Sequence, residues 1–306
     1  MKDGPRVVVL GALPALGLEL LGRRFVVEAG GEPAGAAGIV SDPSIPVDAE
    51  LLDEAGSSLR VVANFGVGYD NIDLDAARAR GVRVTNTPGV LNNATAELAV
   101  ALMLAAARRI TEADAAVRRE DWPRSDANEL IGLELAGATV GLVGFGRIAR
   151  RVAELLRGFE VRLLVTSRSS GTPSPGVERL ELSELLAASD FVSVHVPLTA
   201  ETRHLIDANA LAAMKPGAIL VNTSRGAVVD TTALIHALRS GHLGAAGLDV
   251  YEDEPHVPSE LRGLPNTVLL PHVGSATATT RDAMARLCAD NVVAVLDGRD
   301  PPTAVV

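Results

Sequence analysis

Short apolar runs rich in β-branched residues alternate with helical patterns along most of the chain, and this alternation constrains the fold more than any other feature. The first series of predicted strands comprises residues 6–10, 25–28, 38–41, 60–64 and 82–86, and the second comprises residues 139–143, 161–165, 191–196, 218–222, 244–250 and 268–270. Strands that are separated by helices pair in parallel, because each helix carries the chain back across the sheet. The pattern therefore predicts an α/β protein with two parallel sheets, and the second series is typical of a doubly wound dinucleotide-binding fold.

Two longer helices are predicted outside these repeats. An Ala-rich helix at about residues 94–109 follows the first series, with Asn92 and Asn93 available as caps. The polar segment 121–128 is interrupted by a proline and is predicted to be a linker or a surface loop. The last helix, at about residues 276–296, comes after the second series, and we expect it to return to the first domain.

Charge and composition argue against several classes of partner. The chain has 306 residues, a formal net charge of -10 and 47% apolar residues, so it can bury a large core but offers no basic face to nucleic acid or anionic lipid. Its longest apolar run, residues 98–107, is about half of the ~20 residues that a membrane helix needs. Cys288, the sole cysteine, repeats with Met284 and Val292 at helical spacing, which predicts a core position. We therefore expect a soluble cytoplasmic protein without a metal site.

A glycine-rich turn follows the first strand of the second series. Its G-x-G-x-x-A motif consists of Gly144, Phe145, Gly146, Arg147, Ile148 and Ala149. The first glycine permits a tight turn, the second lets the backbone approach a pyrophosphate, and the small Ala149 lets the helix pack closely on the sheet. The helix N-terminus adds amide donors and a partial positive charge. A glycine-rich turn can be purely structural, but between a strand and an amphipathic helix it predicts that residues 144–148 bind a dinucleotide.

The next predicted strand, residues 161–165, carries information about the ribose. It ends in Thr166, Ser167, Arg168 and Ser169, with no acid where an NAD site places one for the 2′-hydroxyl. An arginine flanked by hydroxyls can instead bind a 2′-phosphate. The sequence thus favours NADP over NAD, with Ser167, Arg168 and Ser169 as cofactor-binding residues. The alternative is that Arg168 is a solvated surface charge.

Polar residues that follow three of the strands form a candidate catalytic set. In open α/β sheets ligands bind beyond the carboxyl ends of the strands, where this sequence has Arg225, Glu254 and His272. Arginine suits a carboxylate and a polarised carbonyl, because its donors form a rigid fork. Histidine suits proton transfer near neutrality, and a neighbouring glutamate would stabilise its charged form. Each residue alone could instead be structural or solvated.

The remaining histidines are weaker candidates. His204, His236, His242 and His256 fall in predicted helices or loops and are expected at the surface, whereas His195 precedes a proline turn and could line the cofactor.

Ten motifs spread over nearly the whole chain resemble the family of D-isomer-specific 2-hydroxyacid dehydrogenases, and within it most closely the glyoxylate/hydroxypyruvate reductases. They occupy residues 64–73, 86–90, 94–99, 144–149, 195–199, 214–217, 222–226, 247–250, 254–255 and 271–277.

This resemblance implies a role for each candidate. It implies that Arg225, Glu254 and His272 are catalytic, and that the backbone around Val67 and Gly68 binds the substrate carboxylate. It places Thr223 and Asp249 beside the nicotinamide ring and implies that the long helix packs in a two-fold dimer. The other residues that it implies at the cofactor are Thr95, His195, Pro197, Thr202, Ser224 and Gly274.

Pattern and resemblance together predict two doubly wound parallel-sheet domains. A flavodoxin-like substrate domain would comprise residues 1–96 and 275–306, and a Rossmann dinucleotide-binding domain residues 97–274. The predicted activity is reduction of a small 2-keto acid, glyoxylate or hydroxypyruvate, to the D-2-hydroxy acid by NADPH or NADH. The alternatives are a sugar-derived 2-keto acid, phosphoglycerate, formate or phosphite as substrate, or a non-catalytic nucleotide-sensing protein similar to a corepressor.

Overall fold

The protein folds into two compact units in a computed structural model that describes residues 4–121, 129–168 and 175–306. Unit 1 comprises Met1–Leu91 with Ser275–Val306, and unit 2 comprises Asn92–Gly274. The boundary between them falls at the start of a helix, whereas the sequence prediction put it after residue 96. The predicted linker at residues 121–128 lies, apart from Asp121, outside the described residues.

The described strands and helices alternate along most of the chain, as the sequence predicts. The strands are β1 Arg6–Leu10, β2 Val26–Ala29, β3 Gly38–Ser41, β4 Val61–Asn64, β5 Arg83–Thr85, β6 Thr139–Val143, β7 Arg162–Thr166, β8 Val177–Arg179, β9 Phe191–Val194, β10 Ile219–Asn222, β11 Ala245–Leu248 and β12 Thr267–Leu269. The helices are α1 Ala15–Gly22, α2 Ala49–Ala55, α3 Leu74–Ala79, α4 Asn92–Ala107, α5 Ile110–Arg118, α6 Arg147–Leu156, α7 Leu182–Ala188, α8 Ala208–Ala213, α9 Thr231–Arg239, α10 Ser259–Arg262 and α11 Ala278–Leu296.

Unit 1 contains a five-stranded parallel sheet in the order β2-β1-β3-β4-β5. This is the strand order of flavodoxin-like folds. Helix α11 packs on this sheet and on α1, because Met284, Cys288 and Val292 repeat every fourth residue and are fully buried. The predicted core position of Cys288 and the return of the last helix to the first unit are both confirmed.

Unit 2 contains a seven-stranded parallel sheet in the order β8-β7-β6-β9-β10-β11-β12. Its first six strands have the Rossmann order 3-2-1-4-5-6, and β12 extends the sheet by one. The two predicted α/β domains are confirmed, but the prediction of six strands in the second series was wrong because it missed β8. That edge strand is only three residues long and carries two charged residues, so it has no apolar pattern.

The register of the unit 2 strands determines where the site forms. Asn222, Leu248 and Leu269 are aligned at the ends of β10, β11 and β12, and Val143 and Val194 are aligned at the ends of β6 and β9. Because the strands are parallel, the segments that follow them leave the sheet at one edge.

Two helix starts differ from the sequence prediction. Asn92 and Asn93 lie within the first turn of α4 and do not precede it, whereas α11 begins after Thr277, whose hydroxyl accepts a hydrogen bond from the amide of Thr280 at 3.2 Å. Across the described residues, every helix is too short or too polar to span a membrane.

Candidate active site

The glycine turn after β6 has the backbone geometry that a pyrophosphate site needs. Gly144 has φ +93°, and a Cβ there would lie 2.7 Å from the carbonyl oxygen of His195, so a side chain is excluded. Gly146 is the N-cap of α6, and a Cβ added to it would meet nothing within 4 Å. There is therefore open space beside the backbone of Gly146. Ala149 is fully buried, which lets α6 pack closely. The exposed amide end of α6 can therefore bind an anion.

Two enclosed polar atoms beside this turn lack partners among the described residues. They are Nε2 of His195, which follows β9, and Oγ1 of Thr223, which follows β10. Burial lowers the pKa of His195 to about 4, so the ring is neutral at physiological pH. An unsatisfied buried polar group costs about 1–3 kcal/mol. Because His195 and Thr223 follow β9 and β10, the two strands that come after β6 on one side of it in the sheet, both atoms fit a dinucleotide bound at this edge.

Other predicted cofactor residues stabilise the same loops. The hydroxyl of Thr202 donates to the carbonyl of Pro197 at 2.6 Å, and the hydroxyl of Ser224 donates to Oδ1 of Asn222 at 2.8 Å. Thr95 donates to the carbonyl of Gly274 at 3.2 Å. The structure thus places these residues at the predicted edge and engages their hydroxyls in protein contacts.

The predicted ribose-binding residues follow β7. Ser167 is half-buried and Arg168 is exposed, while Ser169 lies outside the described residues. The hydroxyl of Thr199 chiefly lowers the pKa of Glu201, and the positive charge of Arg168 contributes to the same shift. Arg168 therefore lies close enough to Glu201 for the two charges to interact. Phe145, in the glycine turn, is covered by the guanidinium of Arg150, 4.5 Å from the ring centroid.

Glu254 and His272 form a hydrogen-bonded pair. Nδ1 of His272 lies 2.7 Å from Oε2 of Glu254, and the other carboxylate oxygen accepts the amide of Tyr251 at 2.9 Å. Burial alone would raise the pKa of Glu254, but the hydrogen bond and charge of His272, the Tyr251 amide and the charge of Arg225 together lower it. An ionised carboxylate is purely an acceptor, so Nδ1 of His272 carries the proton and Nε2 is left to exchange one.

Arg225 is held by the turn that follows β10. The side-chain amide of Asn222 donates to the carbonyl of Arg225 at 2.9 Å, while its oxygen accepts the amide of Ser224 at 3.0 Å. Nη1 of Arg225 donates to the carbonyl of Ser224 at 2.9 Å. The next residue, Gly226, lies against the backbone of Tyr251 and Glu252, so Arg225 is at the same edge as the loop that carries Glu254. The charge of Arg225 contributes to the lowered pKa of Glu254. The structure therefore brings together the three predicted catalytic side chains.

Asp249 is predicted to lie beside the nicotinamide ring. In the structure, its carboxylate binds the loop that follows His272. Its two oxygens accept the amides of Val273 and Gly274, each at 2.7 Å. Burial raises the pKa of Asp249. A Cβ on Gly274 would lie 3.1 Å from this carboxylate, so glycine lets the loop approach. Asp249 therefore fixes the backbone that carries His272.

Two residues near the pair were not identified from the sequence. The hydroxyl of Tyr251 donates to the carbonyl of Leu270 at 2.9 Å, two residues before His272. His204 was predicted to be a surface residue, and its side chain is 41% exposed; its hydrogen bond from Nε2 to Glu252 was not predicted. The sequence indicated Glu254 as the partner of a histidine, but no signal in it indicated that Glu252 binds His204.

In unit 1, the segment that contains Val67 and Gly68 is held by two amide side chains. Asn64 donates to the carbonyl of Gly68 at 2.6 Å, and Asn86 donates to the carbonyl of Val67 at 2.8 Å. No described residue accepts a hydrogen bond from the backbone N–H of Val67 or Gly68. These half-buried amides can therefore serve as donors to an anion.

The comparisons with known proteins agree with the fold. Residues 100–274 match the model of the D-isomer specific 2-hydroxyacid dehydrogenase NAD-binding domain. The chain is 45% identical to a glyoxylate reductase of Thermococcus litoralis, over 98% of this chain and 96% of that protein. A solved structure of a Thermus thermophilus protein superimposes with a TM-score of 0.92 at 47% identity, covering 98% of this chain and all of that one.

A second solved structure is an NADPH-dependent glyoxylate/hydroxypyruvate reductase of Sinorhizobium meliloti in complex with NADP and malonate. It gives a TM-score of 0.91 at 38% identity and covers 99% of this chain and 97% of that one. The fold and the site define an oxidoreductase with a nicotinamide-dinucleotide-binding domain. The chain belongs to the family of D-isomer specific 2-hydroxyacid dehydrogenases. Within the described residues, no group of three or more His, Cys, Asp or Glu side chains could hold a metal ion.

Proposed function

We propose that the protein reduces glyoxylate or hydroxypyruvate to the D-2-hydroxy acid, and that Arg225, Glu254 and His272 are its catalytic residues. The observation that carries this proposal is the 2.7 Å bond between Nδ1 of His272 and Glu254, at the sheet edge that also carries Arg225 and the glycine turn. The names of the Thermococcus and Sinorhizobium relatives support the choice of substrate.

The proposed mechanism assigns a separate task to each side chain. The Arg225 guanidinium binds the keto acid and polarises its carbonyl through two parallel donors. When bound, the reduced nicotinamide supplies a hydride to the carbonyl carbon. Nε2 of His272 gives its proton to the carbonyl oxygen, which becomes the hydroxyl group. Glu254 stabilises the imidazolium before transfer and keeps the proton on Nδ1 afterwards.

The substrate carboxylate is proposed to bind the backbone amides of Val67 and Gly68. Their carbonyls already accept hydrogen bonds from Asn86 and Asn64, so the segment is fixed before an anion arrives. Such preorganised donors cost no reorganisation during the reaction.

Initial rates with a panel of substrates test the proposed activity. The panel contains glyoxylate, hydroxypyruvate, a sugar-derived 2-keto acid and, in the oxidative direction, 3-phosphoglycerate, formate and phosphite, each with both nicotinamide cofactors. The highest kcat/KM should be with glyoxylate or hydroxypyruvate. A higher value with any other member would replace the proposed substrate, and no turnover with any of them would refute catalysis.

NADPH is the proposed cofactor, because Arg168 and Ser167 follow β7 where an NAD site would place an acid. The nearby Glu201, whose charge interacts with Arg168, would compete with a 2′-phosphate for this guanidinium. The Sinorhizobium relative is described as NADPH-dependent, which supports the choice.

Replacing Arg168 with Ala should lower the ratio of kcat/KM with NADPH to that with NADH by about tenfold, as expected for the loss of a charge-assisted bond worth roughly 1.5 kcal/mol. The measurement determines this ratio in the parent and in the variant. Arg239→Ala, an exposed arginine at the end of α9, is the matched control and should leave the ratio unchanged. A parent that prefers NADH, or a ratio that does not move in Arg168→Ala, would reject NADPH selectivity through this residue.

A homodimer in the cytoplasm is the proposed physiological form. Unit 2 exposes Ile110, Val117, Ile131 and Leu133, whose side chains are 42–61% accessible, near α5 and the segment that follows it. Exposed apolar groups of this kind mark association surfaces.

The double variant Val117→Asp, Ile131→Asp should shift the protein from dimer to monomer, because two charges would be buried without partners. Analytical ultracentrifugation gives the mass directly. Ala15→Asp, at an exposed position in unit 1, is the control and should stay dimeric. A monomeric parent, or a double variant that remains dimeric, would contradict the proposed interface.

A further inference from the structure

A second histidine–glutamate pair lies beside the proposed catalytic pair. Nε2 of His204 is 2.5 Å from Oε1 of Glu252, and the two residues are separated by 48 positions in the chain. No reaction step proposed above uses either residue. The pair joins the segment before α8 to the loop that also carries Glu254.

Glu252 binds a third segment with its other oxygen. Oε2 accepts the amide of Thr231 at 3.1 Å, at the first residue of α9. Burial alone would raise the pKa of Glu252, but the hydrogen bonds from Thr231 and His204 lower it, so the carboxylate is charged. It therefore stabilises the positive end of α9 while it binds His204.

His204 is also tied to the segment that follows Arg225. Its backbone amide donates to the carbonyl of Ala227 at 2.8 Å, and the amide of Ile206 donates to the carbonyl of Val228 at 3.0 Å. Its φ of +51° is uncommon for a residue with a Cβ. These contacts fix the direction in which the His204 ring leaves the backbone.

The backbone after Arg225 is pressed directly against the loop that leads to Glu254. A Cβ on Gly226 would overlap the carbonyl group of Tyr251 and the amide of Glu252, so glycine is required for this approach. Arg225 and Glu254 are therefore carried by two segments in backbone contact. The His204–Glu252 bond joins the Glu254 loop to a third segment, which is itself hydrogen-bonded to Ala227 and Val228 after Arg225.

We propose that the His204–Glu252 pair has a positioning role: it keeps the side chain of Arg225 at a fixed position relative to Glu254 and His272. The inference rests on the catalytic roles proposed above for those three residues. Loss of the pair lets the loop at residues 251–254 shift relative to the turn at residues 223–227. A small misplacement of catalytic groups lowers turnover strongly, whereas the glycine turn that binds the nucleotide is untouched.

His204→Ala should therefore lower kcat with the preferred 2-keto acid by about tenfold and leave the Kd for the reduced cofactor unchanged, since the change acts on alignment only. Stopped-flow turnover and fluorescence titration of the bound cofactor give the two quantities. His204→Gln should restore most of the rate, because the Gln Nε2 group can donate to the same oxygen of Glu252. His242→Ala is the matched control: its Nε2 also bonds a single acceptor in unit 2, the carbonyl of Leu211 at 3.1 Å, away from both catalytic segments.

A readout that does not need turnover separates failure of the inference from failure of the proposed function. In protein labelled with ¹³C-histidine, the ring signal of His272 should shift in His204→Ala and stay in place in His242→Ala and His204→Gln. A shift confined to His204→Ala supports positioning even if the substrate has been misjudged. An unmoved His272 signal, an unchanged kcat, or equal losses of kcat in His204→Ala and His242→Ala would overturn the proposal.

Discussion

Replacing His272 with Ala is expected to lower kcat by at least about 100-fold, the usual effect of losing a general acid. The side chain is 43% exposed, and its Nδ1 is bound to Glu254, so Nε2 is the atom that can reach a substrate. Removing the ring eliminates the proton donor but leaves the glycine turn intact. Steady-state rates with the preferred keto acid, together with cofactor binding measured by fluorescence, check this expectation.

The control for this prediction is His256→Ala, an exposed histidine in the loop between β11 and β12. It should retain parental kcat and parental cofactor affinity. A fall of less than about tenfold in His272→Ala would remove His272 from the role of acid, because lost acid catalysis costs 10²–10⁴-fold. A fall in cofactor affinity parallel to the fall in kcat would point to a structural role instead.

Arg225→Lys is expected to reduce kcat/KM by about 100-fold, although the charge is kept. Lysine is a point charge and cannot make two parallel bonds to a planar carboxylate or carbonyl group. The variant also loses the bond from Nη1 to the carbonyl of Ser224 that holds the guanidinium in the turn. Initial rates over a range of keto acid concentrations separate a loss of binding, seen in KM, from a loss of carbonyl polarisation, seen in kcat.

Arg262→Lys is the matched control, since the guanidinium of Arg262 bonds only the carbonyl of Val257 among the described residues and lies outside the proposed reacting set. Its kinetics should equal those of the parent. Near-normal turnover of Arg225→Lys would refute the assignment, and equal losses in both variants would indicate a general effect on the fold.

Much of the candidate site could be predicted because it depends on local patterns and one rule of topology. Strands in a parallel sheet end at one edge, so Arg225, Glu254 and His272 were expected together once β10, β11 and β12 were recognised. The glycine turn could be predicted for the same reason, since Gly144 must adopt φ > 0 in any tight strand-to-helix turn.

Other features could not be predicted from local patterns. Strand β8 has three residues and pairs at the sheet edge, so it has too little apolar content to be distinguished from a loop. The bonds from Asp249 to the amides of Val273 and Gly274 depend on the lateral spacing of two loops. Asn92 and Asn93 have the chemistry of caps, yet the helix includes them, because packing overrides a weak local preference.

The sequence by itself determined the two parallel sheets, the dinucleotide turn and the identity of the residues at the strand ends, because periodicity and glycine placement act over a few neighbouring residues. Only the tertiary structure decided that the neighbouring carboxylate, Glu252, binds a different histidine, His204. The physical reason is that a hydrogen bond between side chains so distant in the chain depends on how packed segments bring them together, and no local pattern records that arrangement.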